Sequence, residues 1–278
     1  MTYKTILLHV NDERRVARLV SVAAQIADRF QAHVIGLYVL PPVPTYGATS
    51  AGARMIASSL GAFRQEAERV HAAFEEACKG HPVVAEWRLI EPKQRGVAET
   101  IMDHARAADL LIVSQRDPEF DFTTLLDVPD RLVIETGRPV LIVPRVGSYP
   151  TIGKRITIAW NGRRESARAA FDALPFLQRA ESVRIVWVNP RAEKEAAGDL
   201  PTVEIATTLA RHGVKCEAAT SSAPDLGVGD ALLSSFADDG TDLLVMGAYG
   251  HSRFRELVFG GATRHILEHM TVPALLSH

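Results

Sequence analysis

The sequence predicts an α/β protein with two repeated domains, each built on a five-stranded, mostly parallel sheet with helices on both faces. The length of 278 residues allows two domains of ordinary size. Short runs rich in β-branched residues alternate with segments of helical period, which is the pattern of βαβ units. This pattern occurs twice, because residues 4–11 (KTILLHVN) match residues 154–161 (KRITIAWN) and similar runs follow each of them in the same order.

Ten apolar runs are predicted to be strands, five in each half. The first, second and fourth run of each half are almost continuously apolar, as expected for parallel strands that helices cover on both faces. In each half the last run follows a proline. The predicted strands lie near 4–10, 32–40, 83–90, 109–114, 139–144, 154–160, 182–188, 215–221, 242–247 and 273–277.

A short stretch rich in proline and glycine separates the halves. It reads RVGSYPTIG at 145–153 and suits a linker, so we expect domains at 1–146 and 153–278. The last strands of the two halves, 139–143 and 273–276, are predicted to pair edge to edge, because this pairing would cover strand edges that are otherwise exposed. One chain would then resemble a dimer, and we expect two chains to form a homodimer.

The composition excludes several classes of protein. Apolar residues make up 47% of the chain and charged residues 23%, which rules out a disordered chain. The 31 basic residues nearly balance the 33 acidic ones, so no strong field would attract nucleic acid or anionic lipid. We therefore predict neither nucleic acid nor a membrane as a partner. The longest uncharged stretch, 31–53, is interrupted by prolines and glycines and is not a membrane span.

The N-terminus and the cysteines indicate a reducing compartment. Residues 1–10 resemble a strand and lack the basic region and long apolar region of a signal peptide. Cys78 and Cys216 are far apart in sequence and form no C-x-x-C pattern, which argues against a disulfide scaffold or a cysteine-rich zinc site. We expect a cytoplasmic protein.

The loop after the fourth strand of the second half has the residues of an anion site. Ligands of open parallel sheets bind outside the carboxyl ends of the strands. This loop reads GAYGHSRFRELVFGGAT at 247–263 and leads into a predicted helix. Glycines let backbone N–H groups approach a phosphate, and a helix N-terminus adds unpaired donors and a positive dipole end. A cluster of glycines also occurs in ordinary turns, and the loop alone does not decide between the two.

With this loop, the sequence resembles the universal stress protein family in its tandem, two-domain form. Gly247, Gly250 and Gly260 match the Gly-x-x-Gly-x9-Gly-[Ser/Thr] loop of the nucleotide-binding members. The resemblance covers essentially the whole chain and includes the repeat and the closing Val-Pro strand. It implies the adenine nucleotide alpha hydrolase-like, Rossmann-like fold, and ATP or AMP as the ligand, with Mg²⁺ as a further option. Slow hydrolysis of bound ATP stays open, so the resemblance does not decide whether the protein is an enzyme.

The resemblance assigns roles to individual residues. Asn161, at the end of the first strand, would lie near the adenosine, and Val188 would contact the adenine. Met246 and Gly247 would line the end of the fourth strand. The remaining assigned residues would surround the phosphates, and they are Gly250, His251, Arg253, Gly260, Gly261 and Ala262.

Three residues depart from the family pattern. Position 261 is glycine where ATP-binding members have serine or threonine, so one hydroxyl contact is missing. Asn161 replaces an acidic residue and loses the charge that strengthens a hydrogen bond. Trp160 is bulky, and it either fills the site or packs at the strand end.

The first half departs much further from the nucleotide-binding pattern. Its loop at 114–130, SQRDPEFDFTTLLDVPD, contains no glycine and carries four aspartates and one glutamate, which would repel a phosphate. We expect this half to have lost nucleotide binding and to serve packing, partner recognition or a different ligand. Its additional loop at 41–50 suits either a lid or partner surface, or an ordinary surface loop.

Two other sequence patterns each allow two interpretations. His265 and His269 fit H-x-x-E-H, which could hold zinc, or they could face solvent on a helix. The acidic group Asp238, Asp239 and Asp242 could perform acid–base chemistry or mark a turn.

We expect a stress-response regulator that binds adenine nucleotide in its second half. The alternatives are an interaction protein that acts through an unidentified protein partner, and a slow nucleotide hydrolase or metal-binding protein.

Overall fold

The computed structural model describes residues 2–42, 50–92, 95–119, 129–189, 200–248 and 261–278. Its contacts divide the chain into two compact units. The first unit is Tyr3–Thr136, and the second is Gly137–His278 together with Thr2. The predicted linker follows the strand at 140–143, whereas the division between the units precedes it. The domain ranges 1–146 and 153–278 stay a prediction.

The first unit contains a parallel sheet in the order β3-β2-β1-β4. Its strands are β1 (Thr5–His9), β2 (His33–Val39), β3 (Val84–Ile90) and β4 (Leu110–Ser114). Its described helices are α1 (Glu13–Phe30), α2 (Ser50–Lys79), α3 (Val97–Ala105) and α4 (Pro129–Glu135).

The second unit contains strands in the order β5-β10-β9-β6-β7-β8. They are β5 (Val140–Val143), β6 (Arg155–Ala159), β7 (Ser182–Val188), β8 (Cys216–Ser221), β9 (Leu243–Gly247) and β10 (Ala274–Ser277). The described helices are α5 (Arg164–Asp172), α6 (Leu174–Leu177), α7 (Leu200–Arg211), α8 (Val228–Asp239) and α9 (Gly261–His269). All ten predicted strands are therefore present.

The pairing of the last strands is confirmed. β5 and β10 are antiparallel, with Ala274 opposite Ile142 and Leu276 opposite Val140, while the other pairs of this unit are parallel. This antiparallel pair explains why β5 belongs to the second unit by its contacts.

The apolar runs of the sequence form the cores of the two units. Ile6, Leu7 and Leu8 are consecutive and all buried, because helices cover both faces of a parallel sheet. Helix α1 starts where the Asp12 side chain accepts a hydrogen bond from the backbone N–H of Arg14. No helix among the described residues combines the length and the apolar character needed to span a membrane.

The internal repeat extends to individual hydrogen bonds. In the first unit, the Asp109 carboxylate accepts the backbone N–H groups of Lys4 and Thr5 at 2.7 and 2.9 Å. In the second unit, the Asp242 carboxylate accepts those of Lys154 and Arg155, both at 2.9 Å. In each unit an aspartate just before the fourth strand thus fixes the start of the first strand.

Candidate functional site

The second unit has a cavity of about 230 Å³ at the carboxyl ends of β6, β7 and β9. In this sheet β7 lies on one side of β6 and β9 on the other, so the strand order switches at β6, where open α/β sheets bind ligands. The walls combine apolar side chains with three polar side chains and the start of α9. The lining residues are Ala159, Trp160, Asn161, Arg163, Val186, Val188, Val228, Leu232, Gly247, Gly261, Ala262 and Thr263.

The cavity brings together five residues that the sequence assigned to a ligand site. These are Asn161, Val188, Gly247, Gly261 and Ala262.

The remaining five assigned residues comprise one that the structure describes and four that it does not. Met246 is buried in the core and is not among the lining residues. Gly250, His251, Arg253 and Gly260 lie outside the described residues.

Asn161 shapes the backbone that leads from β6 into α5. Its Oδ1 accepts a hydrogen bond from the backbone N–H of Arg163 at 3.1 Å, which forms an Asx turn. Gly162, between them, has a φ of 67°, a conformation that favours glycine. A carboxylate at position 161 could accept the same bond, so the turn does not require an amide.

Gly261 is the first residue of α9. Among the described residues, an added Cβ atom would meet no atom within 4 Å beyond its chain neighbours and its own helix. The first N–H groups of a helix have no partner within the helix and carry the positive end of its dipole. The start of α9 at Gly261 and Ala262 therefore gives the cavity an end that favours an anion. The Arg163 side chain adds a guanidinium to the lining.

Trp160 forms part of the wall of the cavity. Its backbone N–H donates to the carbonyl of Val186 at 2.9 Å, which continues the β6–β7 pairing by one residue. Only 9% of its surface is exposed, and its indole Nε1 is buried without a hydrogen-bond acceptor among the described residues. The side chain packs at the strand end, and the cavity remains beside it.

Glu165 lies in the first turn of α5 and is buried against β9. Burial alone would raise the pKa of its carboxyl, but hydrogen bonds from the Arg164 side chain and from its own backbone N–H outweigh burial and lower the pKa. His278 contributes to the same lowering through its charge. The carboxylate is therefore ionised at neutral pH.

The equivalent position in the first unit is occupied by a buried arginine. Asn11 and Asp12 follow β1, and Asp117 follows β4. The Arg15 side chain is 5% exposed and lies 3.3 Å from Asn11 Oδ1, 3.6 Å from Asp12 Oδ2 and 3.6 Å from Asp117 Oδ2. The cation and the carboxylates neutralise each other in this buried cluster. The loss of nucleotide binding in the first half stays a prediction.

Burial of Asp12 alone would raise the pKa of its carboxyl, but hydrogen bonds from Arg14 and the charge of Arg15 outweigh burial and lower it.

The two histidines of the H-x-x-E-H pattern have other partners. His265 Nε2 lies 2.8 Å from Asp230 Oδ1 of α8, and the His269 ring stacks on the His265 ring at 4.4 Å. Glu268 pairs with Arg264 at 2.7 Å. Among the described residues, no group of three or more histidine, cysteine, aspartate or glutamate side chains is placed to hold a metal ion.

The acidic residues before β9 have structural partners. Asp239 pairs with Arg184, and Asp242 binds the backbone at the start of β6. These contacts favour the turn over acid–base chemistry.

Comparison with known proteins identifies the family. The model of the universal stress protein family matches residues 2–144, just over half of the chain, and the chain belongs to this family. Universal stress protein Slr1230 of Synechocystis is 30% identical over 151 residues, which cover 52% of this chain and 49% of that protein. The chain thus spans about half the length of this curated relative.

Solved structures show the same fold over nearly the whole chain. A universal stress protein from Archaeoglobus fulgidus superposes with a TM-score of 0.66 at 13% identity, covering 99% of this chain and 96% of that one. A Pseudomonas aeruginosa protein of unknown function gives a TM-score of 0.62 at 15% identity, with 99% and 92% covered. The predicted two-part α/β architecture is confirmed.

Proposed function

We propose that this universal stress protein is a regulator that binds an adenine nucleotide, ATP or AMP, in the cavity of the second unit. One observation carries the proposal. A single cavity, at the point where the strand order switches, has apolar walls and the N-terminus of a helix at one end. A nucleotide has the same two-part character, with a flat apolar base and an anionic end. The first unit would support folding or partner binding.

The apolar wall suits a purine. Val186 and Val188 at the end of β7 and Leu232 of α8 line the cavity and are themselves buried, so they hold their positions without a ligand. A base that covers this surface would gain about 25 cal/mol for each Å² of apolar area removed from water.

The polar end suits a phosphate. The N–H groups at the start of α9 offer donors that need no side-chain ordering, and the positive end of the dipole contributes up to about 2 kcal/mol in favourable geometry. Arg163 supplies a formal positive charge at the same cavity.

The described lining favours binding over turnover. It contains no carboxylate that could hold Mg²⁺ or activate a water molecule. Any Mg²⁺ would have to be held mainly by the phosphates of the ligand. Slow hydrolysis remains the alternative activity, and the release of phosphate from ATP would reveal it.

Calorimetric titration of ATP and AMP tests the proposal, with Gly261→Asp as the blocking variant. The open space at Gly261 accepts the side chain, and an acidic residue at a helix N-terminus stabilises the helix, so the variant should fold. Its charge would repel a phosphate at the proposed site. Gly61→Asp is the matched control, because an added Cβ at Gly61 likewise meets no atom of another described part of the chain within 4 Å and Gly61 lies in α2 of the first unit.

We expect one nucleotide per chain, binding at least about tenfold weaker in Gly261→Asp and unchanged in Gly61→Asp. Equal affinity in all three proteins would exclude a phosphate at α9. Absence of binding to the wild type would favour the alternative, an interaction protein that acts through partners. Asn161 and Gly261 support this alternative, because both depart from the residues that nucleotide-binding members carry at these positions.

The proposal also includes a second family domain in the second half and a cytoplasmic location. A second family domain in the second half is supported by the repeated aspartate contacts of Asp109 and Asp242. The cytoplasmic location is tested by fractionation of cells.

A further inference from the structure

The strand β3 lies at an end of the strand order in the first unit. Its seven residues pair with β2 on one side, and no described strand pairs with it on the other. Two of its apolar side chains are exposed, Val84 by 70% and Leu89 by 46%. An exposed edge of this kind is a template for pairing with another strand unless charges or prolines block it.

The backbone groups available at this edge follow from one hydrogen bond. The backbone N–H of Leu40 donates to the carbonyl of Ile90 at 2.9 Å, so Ile90 directs its backbone groups towards β2. Backbone direction alternates along a strand. Ala85, Trp87 and Leu89 therefore present their N–H and C=O groups at the free edge.

An antiparallel pair of two β3 strands fits these groups when the two-fold axis passes through Trp87. Trp87 then faces Trp87 of the second copy, and Ala85 faces Leu89 of the second copy. These are the residues with outward backbone groups, so each such pair exchanges two hydrogen bonds. In this register the outward N–H and C=O groups of the two strands face each other without any shift of the backbone.

The same register is complementary in charge. Glu86 lies opposite Arg88 of the second copy, and Val84 lies opposite Ile90. These are the non-hydrogen-bonded pairs, in which Cα atoms are only about 4.5 Å apart and side chains are closest. A register centred on Glu86 or on Arg88 would instead place like charges opposite each other, which is unfavourable.

Within one chain Glu86 and Arg88 already form an ion pair, and both are partly exposed. Two copies would join these pairs into a four-charge group across the axis.

The aromatic face of β3 supports the same axis. The Trp87 ring stacks on His71 at 4.8 Å and packs on Phe74 at 5.2 Å, so α2 holds it in place, yet it remains partly exposed. Pairing would place it beside its symmetry mate, and cross-strand aromatic pairs are stabilising.

The strand β8, at an end of the strand order in the second unit, lacks this complementarity. β8 carries one charged residue, Glu217, and no cation that a second copy could set opposite it.

We propose that β3 is a homodimer interface, in which two copies of this chain pair antiparallel about Trp87 and extend the sheet of the first unit across the axis. A two-fold contact of this kind uses the same surface on both copies and therefore closes at the dimer. The proposal does not depend on nucleotide binding.

Charge reversal tests the interface, with mass measured by light scattering over a range of protein concentrations. We expect the wild type to be a dimer. Glu86→Arg would place two arginines opposite each other, and Arg88→Glu two glutamates, so each should raise the dimer dissociation constant at least about tenfold. The double variant Glu86→Arg/Arg88→Glu restores opposite charges and should restore the dimer. Glu217→Arg on β8 is the matched control and should leave the dimer intact.

Two results would overturn the proposal. One is a wild type that remains monomeric at high concentration. The other is a dimer whose dissociation constant is unaffected by the single reversals, which would place the contact elsewhere, including at β8. Circular dichroism of each variant shows that the fold is retained.

A crosslink provides an independent check on the register. Val84→Cys combined with Ile90→Cys should give a disulfide-linked dimer on oxidation, because these positions face each other only between copies.

Discussion

Gly247 and Glu165 approach so closely that a Cβ atom on Gly247 would lie 2.4 Å from the carbonyl carbon of Glu165. The neighbouring backbone nitrogen of Ser166 is equally close. This contact is where α5 packs on the end of β9, and neither backbone can move aside cheaply. The glycine is therefore required by packing, although the sequence pattern placed it in a ligand site.

Substitution of Gly247 should consequently destabilise the protein whether or not a ligand is present. We expect Gly247→Ala to lower the free energy of unfolding by about 1–3 kcal/mol, as overpacking does. Gly261→Ala should change it by less than about 1 kcal/mol, because no described residue outside α9 lies within 4 Å of its Cβ position. Urea unfolding without nucleotide measures both. Equal stability of the two variants would show that the α5–β9 contact is looser than the structure has it.

Position 261 should respond to a hydroxyl group. Gly261→Ser adds the side chain that nucleotide-binding relatives carry by resemblance, and it has room to do so. One additional hydrogen bond contributes about 0.5–1.5 kcal/mol, so ATP should bind roughly two- to tenfold more tightly. Calorimetry measures the affinity. The control Gly261→Ala separates the effect of the added hydroxyl on affinity from the effect of replacing glycine. A gain of the same size in both variants would mean that the serine makes no such bond.

Position 161 should respond to charge. Asn161→Asp keeps an acceptor for the N–H of Arg163 and adds a carboxylate. We expect adenosine to bind a few-fold more tightly, because bonds to a charged acceptor are about twice as strong as neutral ones. The gain should vanish with 2′,3′-dideoxyadenosine, which lacks the ribose hydroxyls. A gain that persists with this analogue would contradict a ribose contact.

The first unit should be sensitive to acid through His9. Its side chain is fully buried near the Arg15 cation, and burial followed by this charge lowers the pKa of His9 to about 3. The unfolded chain binds a proton at the ordinary pKa of about 6.5, so protons favour unfolding. This residue should remove about 1.4 kcal/mol of stability per pH unit as the pH falls below about 6.5. Unfolding of the wild type and His9→Gln between pH 7 and 5 measures the difference. The same pH slope in both proteins would argue against a buried neutral His9.

The strands were predictable from the sequence because each is a run of β-branched and apolar residues, such as Ile6–Leu8, that only a covered parallel strand explains. The assignment of β5 to the second unit was harder to predict from the sequence, because it depends on the antiparallel pairing of Val140 with Leu276. Sequence order alone places β5 with the residues before it.

The candidate site was predictable in part. Asn161, Val188 and Gly261 meet at one cavity because strand ends and a helix start converge at the switch in strand order. Met246 was assigned to the lining because it ends the same strand as Gly247, but its side chain is buried in the core.

The sequence analysis did not identify Arg15 as a buried charge, although the sequence contains a pattern that indicates it. It begins the stripe Arg15, Leu19, Val22 and Ile26 on the buried face of α1, and an arginine on such a stripe needs carboxylate partners.

The most direct measurement is an indole ¹H–¹⁵N spectrum of the protein titrated with AMP. The chain has three tryptophans, Trp87, Trp160 and Trp187, and Trp160→Phe assigns the cavity signal. A nucleotide in the second unit should shift the Trp160 signal at saturation and leave that of Trp87, in the first unit, in place. A shift confined to Trp87, or no shift at any concentration of AMP, would contradict nucleotide binding in this cavity.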